Sequence, residues 1–514
     1  MKSFNRARFI LLTAVLFVLG LTFSVASAAD AKRPVFMAHF MPWHQTPEVS
    51  GYWGYHWTMN HFDPEKTDST GRREIASHYY PLTGPYDSRD EDILEYQILL
   101  MKLSGIDGVM VDWYGMEDFA DYAALNESTQ ALFGMIKKAG LLFSIVYEDQ
   151  TVKHMVEKGH IVKSAALDHG KAVMRYMQDN WFAEDAYLKL DGRPVLLTFG
   201  PQYFMNSSDW ASMFSGLPVT PLFFTLDNRL SPAAAGAYPW PPMSRSNAAG
   251  LLTQAALSDY LNQFYQKAAA WDFLVTSAFP GFNDIYKEAG VSQGYGLLDS
   301  ENGATFQSTL QRALSRDPDV IQLVTWNDYG EGTIIEPTRE FGYQYLEIVQ
   351  DFRRSDVDSL FPFKTVDLFV PARILELRRT GANDPFIQSA LDRVFDRIVS
   401  GNRDGMNAGM DSLSASGCGG AGLGVLPGVF LLSQVYPNPF NPSARFYYHI
   451  ADASPVTISV FDDSGCLIKV LVDGTTTAGC YSAEWNAAGA PSGLYVIRMT
   501  SGKRTVTQKC VKVK

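Results

Sequence analysis

Ser88-Arg-Asp-Glu-Asp-Ile-Leu-Glu-Tyr-Gln-Ile-Leu-Leu-Met-Lys-Leu-Ser-Gly-Ile-Asp-Gly-Val-Met-Val-Asp-Trp113 places a helix directly before a strand, and that order sets the fold. Ser88 followed by Glu91 has the spacing of a capping box, Ile93, Tyr96, Leu100 and Leu103 make one apolar stripe, and Gly105 ends the helix. Gly108 to Trp113 then reads as a buried parallel strand. The same theme recurs on both sides, with candidate strands at Val35–Phe40, Leu142–Tyr147, Val195–Phe199, Pro221–Leu226, a weak one at Ala237–Trp240, Phe273–Phe279 and Val320–Trp326. Eight such runs, separated by helical patterns, predict a (β/α)8 TIM-like barrel. A doubly wound open sheet would alternate in the same way, but no glycine-rich phosphate turn follows the first strand.

Outward from this core the chain changes character at both ends. Lys2, Arg6 and Arg8, the apolar run Phe9–Val25 and Ala26-Ser27-Ala28 have the order of a secretory signal, so residues 1–28 are set apart as a signal peptide. The run is short for a membrane anchor, and no later segment of the mature chain is long and apolar enough to span. The barrel domain is assigned to 29–400, including an amphipathic helix near Pro385–Val399. A Gly-, Ser- and Ala-rich stretch over 401–428 reads as a linker, and 429–514 as a small all-β, Ig-like sandwich built of short strands and turns.

Of 514 residues, 55 are acidic and 43 basic, giving a net charge of −12, which argues against nucleic acid as a partner. All four cysteines, Cys418, Cys466, Cys480 and Cys510, lie near the C-terminus, so thiol chemistry and cysteine metal sites are excluded from the barrel. In an exported protein Cys466 has Cys480 or Cys510 as possible partners, and free thiols are equally compatible with the sequence.

The segment from Val435 resembles the type A sorting domain of the type IX secretion system. The resemblance rests on Tyr436-Pro-Asn-Pro-Phe-Asn-Pro442, Val460-Phe-Asp-Asp-Ser-Gly465, Gly479, Trp485-Asn486, Ser492-Gly-Leu-Tyr495 and Lys509–Lys514. It implies delivery by the type IX machinery to the cell surface or the medium.

In a barrel the functional groups gather where the strands end. That rule collects His39, Trp43 and His44 after the first strand, Asp112, Trp113 and Tyr114 after the second, and Glu148 and Asp149 after the third. It adds Tyr203, Asp227, Asn228 and Trp240, then Phe282 and Asn283, and finally Trp326-Asn-Asp-Tyr-Gly-Glu331. Carboxylates set among aromatic faces suit glycosidic cleavage, in which one acid protonates the leaving oxygen and another activates the attacking group while sugar rings stack on Trp and Tyr. The glycine-spaced Tyr52, Trp53, Tyr55 and Trp57 read as a loop wall for such stacking. No serine elbow, P-loop, zinc helix or calcium loop is present, so no metal and no cofactor is expected.

Val324-Thr-Trp-Asn-Asp-Tyr-Gly-Glu-Gly-Thr333 with Ile335-Glu-Pro337 resembles the signature of glycoside hydrolase families 71 and 99. Ala38-His-Phe-Met41 is similar to the first strand of family 71, which contains α-1,3-glucanases. Tyr79-Tyr-Pro-Leu-Thr-Gly-Pro-Tyr-Asp-Ser-Arg-Asp90, Gly105-Ile-Asp-Gly108 and Asp112-Trp-Tyr114 look more like family 99, which contains endo-acting α-mannosidases. Carried over by position, the resemblance makes Asp328 the base and Glu331 the general acid. Family 99 has Glu where this chain has Asp328. It implies attack by the substrate's own 2-hydroxyl, and family 71 implies inversion; the sequence leaves both routes open.

The expectation is an exported, endo-acting glycoside hydrolase that cleaves α-glycosidic bonds of an α-glucan or α-mannan. Asp328 and Glu331 are the catalytic pair, and the poly- or oligosaccharide is held by Trp43, His44, Trp53, Tyr55, Trp57, Asp112, Trp113, Tyr114, Glu148, Trp240, Trp326, Asn327 and Tyr329. The competing reading is a catalytically inactive carbohydrate-binding protein displayed on the same barrel.

Overall fold

A computed structural model describes residues 33–415, 430–432, 435, 438–450, 452–502 and 504–513. The expected signal peptide, the stretch 416–429, Cys418 and the opening Tyr436-Pro437 of the sorting motif lie outside the described residues.

Eight parallel strands form the central sheet: β1 (Val35–Phe40), β2 (Gly108–Trp113), β3 (Leu142–Tyr147), β4 (Arg193–Thr198), β5 (Leu222–Leu226), β6 (Gly236–Tyr238), β7 (Val275–Ala278) and β8 (Val320–Leu323). Their spatial order is β6-β5-β4-β3-β2-β1-β8-β7, with the short antiparallel strand Lys189–Leu190 added beside β4. Every strand but β6 pairs with the next in the chain and β8 closes on β1, which is barrel order rather than the reversed order of a doubly wound sheet. The seam between β6 and β7 carries no ladder; there the Ser277 hydroxyl donates to the Pro239 carbonyl at 2.8 Å, so the barrel is nearly closed.

The two-residue period of the strands sorts side chains between barrel interior and helical jacket. Phe36, Ala38, Phe40, Val109, Val111 and Trp113 join one apolar cluster with helix residues such as Leu99 and Leu132, whereas Met37, Met110 and Val146 join another. The helix read first runs Glu91–Ser104 and ends at Gly105 with φ 86°, as expected. Its cap is Asp90, whose carboxylate accepts from the Asp92 and Ile93 N–H groups. Ser88 is not the cap, because its hydroxyl accepts the His44 N–H at 3.0 Å.

After β8 come the helices Gln344–Phe352, Val370–Thr380, Pro385–Val399 and Arg403–Ala415. The last of these takes up the first half of the expected linker. Met406, Met410 and Leu413 give it a buried face, which the Gly and Ser content of the stretch obscures. The described residues of 430–513 form two antiparallel sheets, one of three strands and one of four, which share a core that includes Phe446, Ile458, Trp485 and Ile497. Cys466 is exposed and Cys510 buried, both as free thiols, so these two are not bridged to each other.

Candidate active site

The site is built on a hairpin that follows β8. Thr325 donates both its N–H (2.5 Å) and its hydroxyl (2.9 Å) to the Thr333 carbonyl, and the Ile335 and Glu336 N–H groups return to the Thr325 and Trp326 carbonyls, each at 3.0 Å. Asp328 closes the turn. Its Oδ1 accepts the Glu331 N–H at 2.9 Å, its carbonyl accepts the Gly332 N–H at 2.9 Å, and its own N–H donates to the Thr325 hydroxyl at 2.8 Å. The residue in the left-handed region is Gly332 (φ 67°), where an added Cβ would sit 2.7 Å from the Asn283 carbonyl oxygen. The chain 283–285 runs alongside, with Asn283 and Ile285 donating to the Glu331 and Gly330 carbonyls at 2.9 and 3.0 Å. An extended chain would point residues three apart to opposite faces; this turn brings Asp328 and Glu331 together.

Two further acids reach the same space. Asp112 is the penultimate residue of β2, on its inward parity, and Glu148 follows β3; both are buried. Burial, then the charge of Asp328, holds the Asp112 carboxyl well above its ordinary range. Burial followed by the charges of Asp112, Asp149 and Glu331 does the same to Glu148. Glu331 is also held well up, by burial, then Asp328 and Asp284, with Asp112 adding to it and the Trp240 indole N–H pulling the other way. Asp328 rises only to about 6, because the Glu331 and Gly330 N–H groups offset its burial. Among the described residues none of the four acids is paired with Lys or Arg. Asp112 Oδ1 and Glu331 Oε2 are buried without a protein hydrogen-bond partner. Such unsatisfied, strongly shifted carboxyls mark a site built to meet something other than protein.

Aromatic groups line part of this space. Tyr114 feels burial first, then the charges of Asp112 and Glu148. Its ring lies 6.3 Å from that of Trp43, which stacks on His56 at 4.0 Å. Trp240 packs edge-on against His39 and Phe199, each at 4.9 Å. His39 bonds Gln322 through Nδ1 inside the barrel, and burial lowers it to about 3, so it is neutral. Tyr55 is exposed, while the Trp53 indole donates to Glu65 and its ring lies under Arg73.

Six of the residues expected to touch substrate do not face the mouth. Trp113 follows Asp112 and therefore points outward, donating to Asn126 and stacking on Tyr176. Trp57 is fully buried, its indole on the Tyr86 carbonyl, and His44 packs against its ring. Trp326 and Tyr329 belong to the outer apolar cluster, and the Tyr329 hydroxyl donates to Glu336. The Asn327 amide is consumed in the fold, with Oδ1 accepting the Met41 N–H and Nδ2 donating to the Met41 carbonyl and the Tyr86 hydroxyl. Asp149 likewise holds a loop, accepting the N–H groups of Gln202, Tyr203 and Phe204.

Tyr286 and Glu336 also belong to this region, although neither is among the candidate site residues. Tyr286 feels burial, then the charges of Glu331 and Asp328, and its ring lies near Gly330. It sits in an irregular loop after β7, where no periodicity announces it. Glu336 stood within the quoted motif but carries chemistry visible only in three dimensions. Among the described residues no cluster of three or more His, Cys, Asp or Glu side chains is arranged to hold a metal ion.

A family model for glycosyl hydrolase family 99 matches residues 33–354, and one for a secretion system C-terminal sorting domain matches residues 434–514. A glycoprotein endo-alpha-1,2-mannosidase-like protein of Danio rerio is 22% identical over 346 residues, covering 59% of this chain and 72% of the relative. Its Homo sapiens counterpart is 24% identical over 345 residues, covering 58% and 67%. A solved structure of the GH99 endo-alpha-mannosidase from Bacteroides thetaiotaomicron aligns at 20% identity with a TM-score of 0.46, over 62% of this chain and 98% of that one.

Proposed function

This chain belongs to glycosyl hydrolase family 99 and ends in a secretion-system sorting domain, and from that premise we propose that it is an exported endo-acting glycosidase of α-mannosidic linkages. Asp328 is the base and Glu331 the general acid. The observation that carries this is the separation of their environments across one short turn. Asp328 sits near 6 and ionises first, while Glu331, beside that charge and buried, keeps its proton to higher pH. A group that is ionised and a neighbour that is protonated at the same pH are what activation and leaving-group protonation require.

Asp112, Glu148, Tyr114, Trp43 and Trp240 are assigned to the bound sugar. Asp112 and Glu148 offer acceptors to ring hydroxyls, and the aromatic groups offer apolar faces. The glycan is a mannan or a mannose-rich oligosaccharide, in keeping with the mannosidase names of the relatives; an α-glucan is the other substrate class to be tested. In domain terms we assign 1–28 to a removable leader and 29–400 to the hydrolase, to which the helix Arg403–Ala415 is added. The remainder of 401–428 is the linker, and 429–514 is an Ig-like sandwich that addresses the chain to the type IX machinery and so to the surface or the medium. Among the described residues no helix is long and apolar enough to cross a membrane.

The test is incubation of the full chain with α-mannans and α-glucans of defined linkage, following new reducing ends and the first-formed anomer by NMR. Cleavage within α-mannan chains is the expected result. Binding without turnover on every glycan would replace the enzyme with a carbohydrate-binding protein.

A further inference from the structure

Behind the Asp328–Glu331 turn lies a second, wholly buried carboxylate. The Ile335 and Glu336 N–H groups return the chain beside Thr325 and Trp326, which carries Glu336 to the rear of the turn. There Oε2 accepts hydrogen bonds from the Tyr86 and Tyr329 hydroxyls, each at 2.8 Å, and Oε1 accepts from the Gln97 amide at 2.7 Å. The three donors come from three places: the loop before the helix Glu91–Ser104, the helix itself and the turn.

Two of these links bracket the proposed base. On one side of Asp328, Asn327 donates to the Tyr86 hydroxyl at 3.1 Å while its amide grips Met41. On the other side, Tyr329 reaches Glu336 directly, its ring held against Trp57 at 5.2 Å and His44 at 5.8 Å. Asn327, Tyr86, Glu336 and Tyr329 therefore form a closed hydrogen-bonded arch with Asp328 at its crown.

Burying a carboxylate among neutral donors alone is expensive, and an apolar side chain of similar size would hold a core together at less cost. A network of this kind instead fixes geometry, because the Tyr86 hydroxyl has one position that satisfies both its donation to Glu336 and its acceptance from Asn327, and the Tyr329 hydroxyl is committed to the same carboxylate oxygen. We propose that Glu336 is a positioning residue for the reaction: through Tyr86 and Tyr329 it holds Asp328 and Glu331 in register with the scissile bond without itself touching substrate. The inference rests on the reading of Asp328 and Glu331 as the acting pair.

The experiment compares Glu336→Gln, Glu336→Asp and Tyr329→Phe with the parent full chain and with Glu331→Gln, on the α-mannan that the parent cleaves. Misplacement of reacting groups by about 1 Å costs on the order of 100-fold in rate, so Glu336→Gln is expected to lower kcat by roughly 10- to 100-fold with KM within about twofold of the parent. Tyr329→Phe, which removes one oxygen and no charge, is expected to lose about tenfold in kcat. Glu336→Asp, which restores acceptors at a shorter reach, is expected to recover part of the loss. Thermal midpoints of all variants report folding, and kcat is normalised to the folded fraction. Parent-like kcat in both Glu336→Gln and Tyr329→Phe, a loss accounted for by unfolded protein, or a rise in KM in place of the fall in kcat would each overturn the proposal. A parent chain that turns over nothing, or a Glu331→Gln variant as active as the parent, would instead overturn the hydrolase reading on which it stands.

Discussion

Two sets of buried or half-buried acids in this protein differ in their partners. Those of the mouth, Asp112, Glu148, Asp328 and Glu331, have no cation beside them among the described residues; burial holds all four up, and the charges of neighbouring acids add to it for Asp112, Glu148 and Glu331. Those of the outer jacket are clamped by arginine. Glu95 takes the Arg378 fork at 2.8 and 2.9 Å, Asp107 takes Arg353 at 2.8 and 2.9 Å, and Asp367 takes Arg403 at 2.6 and 3.0 Å. Each clamp ties a helix after β8 to another segment: Arg378 to the helix Glu91–Ser104, Arg353 to the turn before β2, and Arg403 to the start of the 365–380 helical segment. The same side-chain chemistry thus serves reaction in one place and assembly in the other, and the partner decides which.

The largest effect is expected at the mouth. Glu331→Gln removes the proton donor and is expected to lower kcat by about 10²- to 10⁴-fold while glycan binding survives, as measured by initial rates and calorimetric titration on the same preparation. At the jacket, Arg378→Ala leaves Glu95 buried and uncompensated. It is expected to destabilise the protein by about 3–5 kcal/mol, read by denaturant unfolding, with the kcat of the remaining folded protein unchanged. If Arg378→Ala abolished turnover in folded protein, the division between the two sets of acids would fail.

The pH dependence of stability sharpens the contrast. Asp328, Glu336 and Glu347 are pushed up to about 6, 7 and 8 by burial, so between about pH 4 and 8 the folded chain binds more protons than the unfolded one. Stability from these groups is fully present below their unfolded values and is lost as the pH rises through the folded ones. The thermal midpoint is expected to be higher at pH 5 than at pH 8, by on the order of 5 °C. A rise over that interval would contradict the buried, unpaired state of these acids. The smallest effect is expected from Asp112→Asn. It takes one negative neighbour from Glu331 and moves the alkaline limb of the kcat profile down by up to about one unit, and a limb that stayed in place would separate Asp112 from the acting pair.

Much of this was legible in the residues. The buried apolar runs between helical patterns placed all eight strands, and Gly105 marked the helix stop before β2. The acids were legible too, since Asp112, Glu148, Asp328 and Glu331 lie at or just past strand ends. The aromatic assignments were weaker, for a physical reason that the sequence contains. Asp112 and Trp113 are adjacent in β2, so if one enters the barrel the other must leave it. Asn327 and Tyr329 lie in the turn after β8, where only their bonds to Met41, Tyr86 and Glu336 show where they point. Trp57 and His44 offered no such parity; only packing shows that they face Tyr86 and Tyr329. Glu336 was invisible as a partner because Gln97 and Tyr86 are more than 200 positions away in the chain.

The pH profile of kcat/KM on α-mannan, recorded for the parent and for Glu331→Gln, reads the ionisation of the two acids in the turn. The parent is expected to give a bell, with an acid limb near pH 6 as Asp328 ionises and an alkaline limb as Glu331 loses its proton. In Glu331→Gln the alkaline limb disappears and the acid limb stays. A parent profile without an acid limb, or an alkaline limb that survives the substitution, would contradict the assignment of base and acid to this turn.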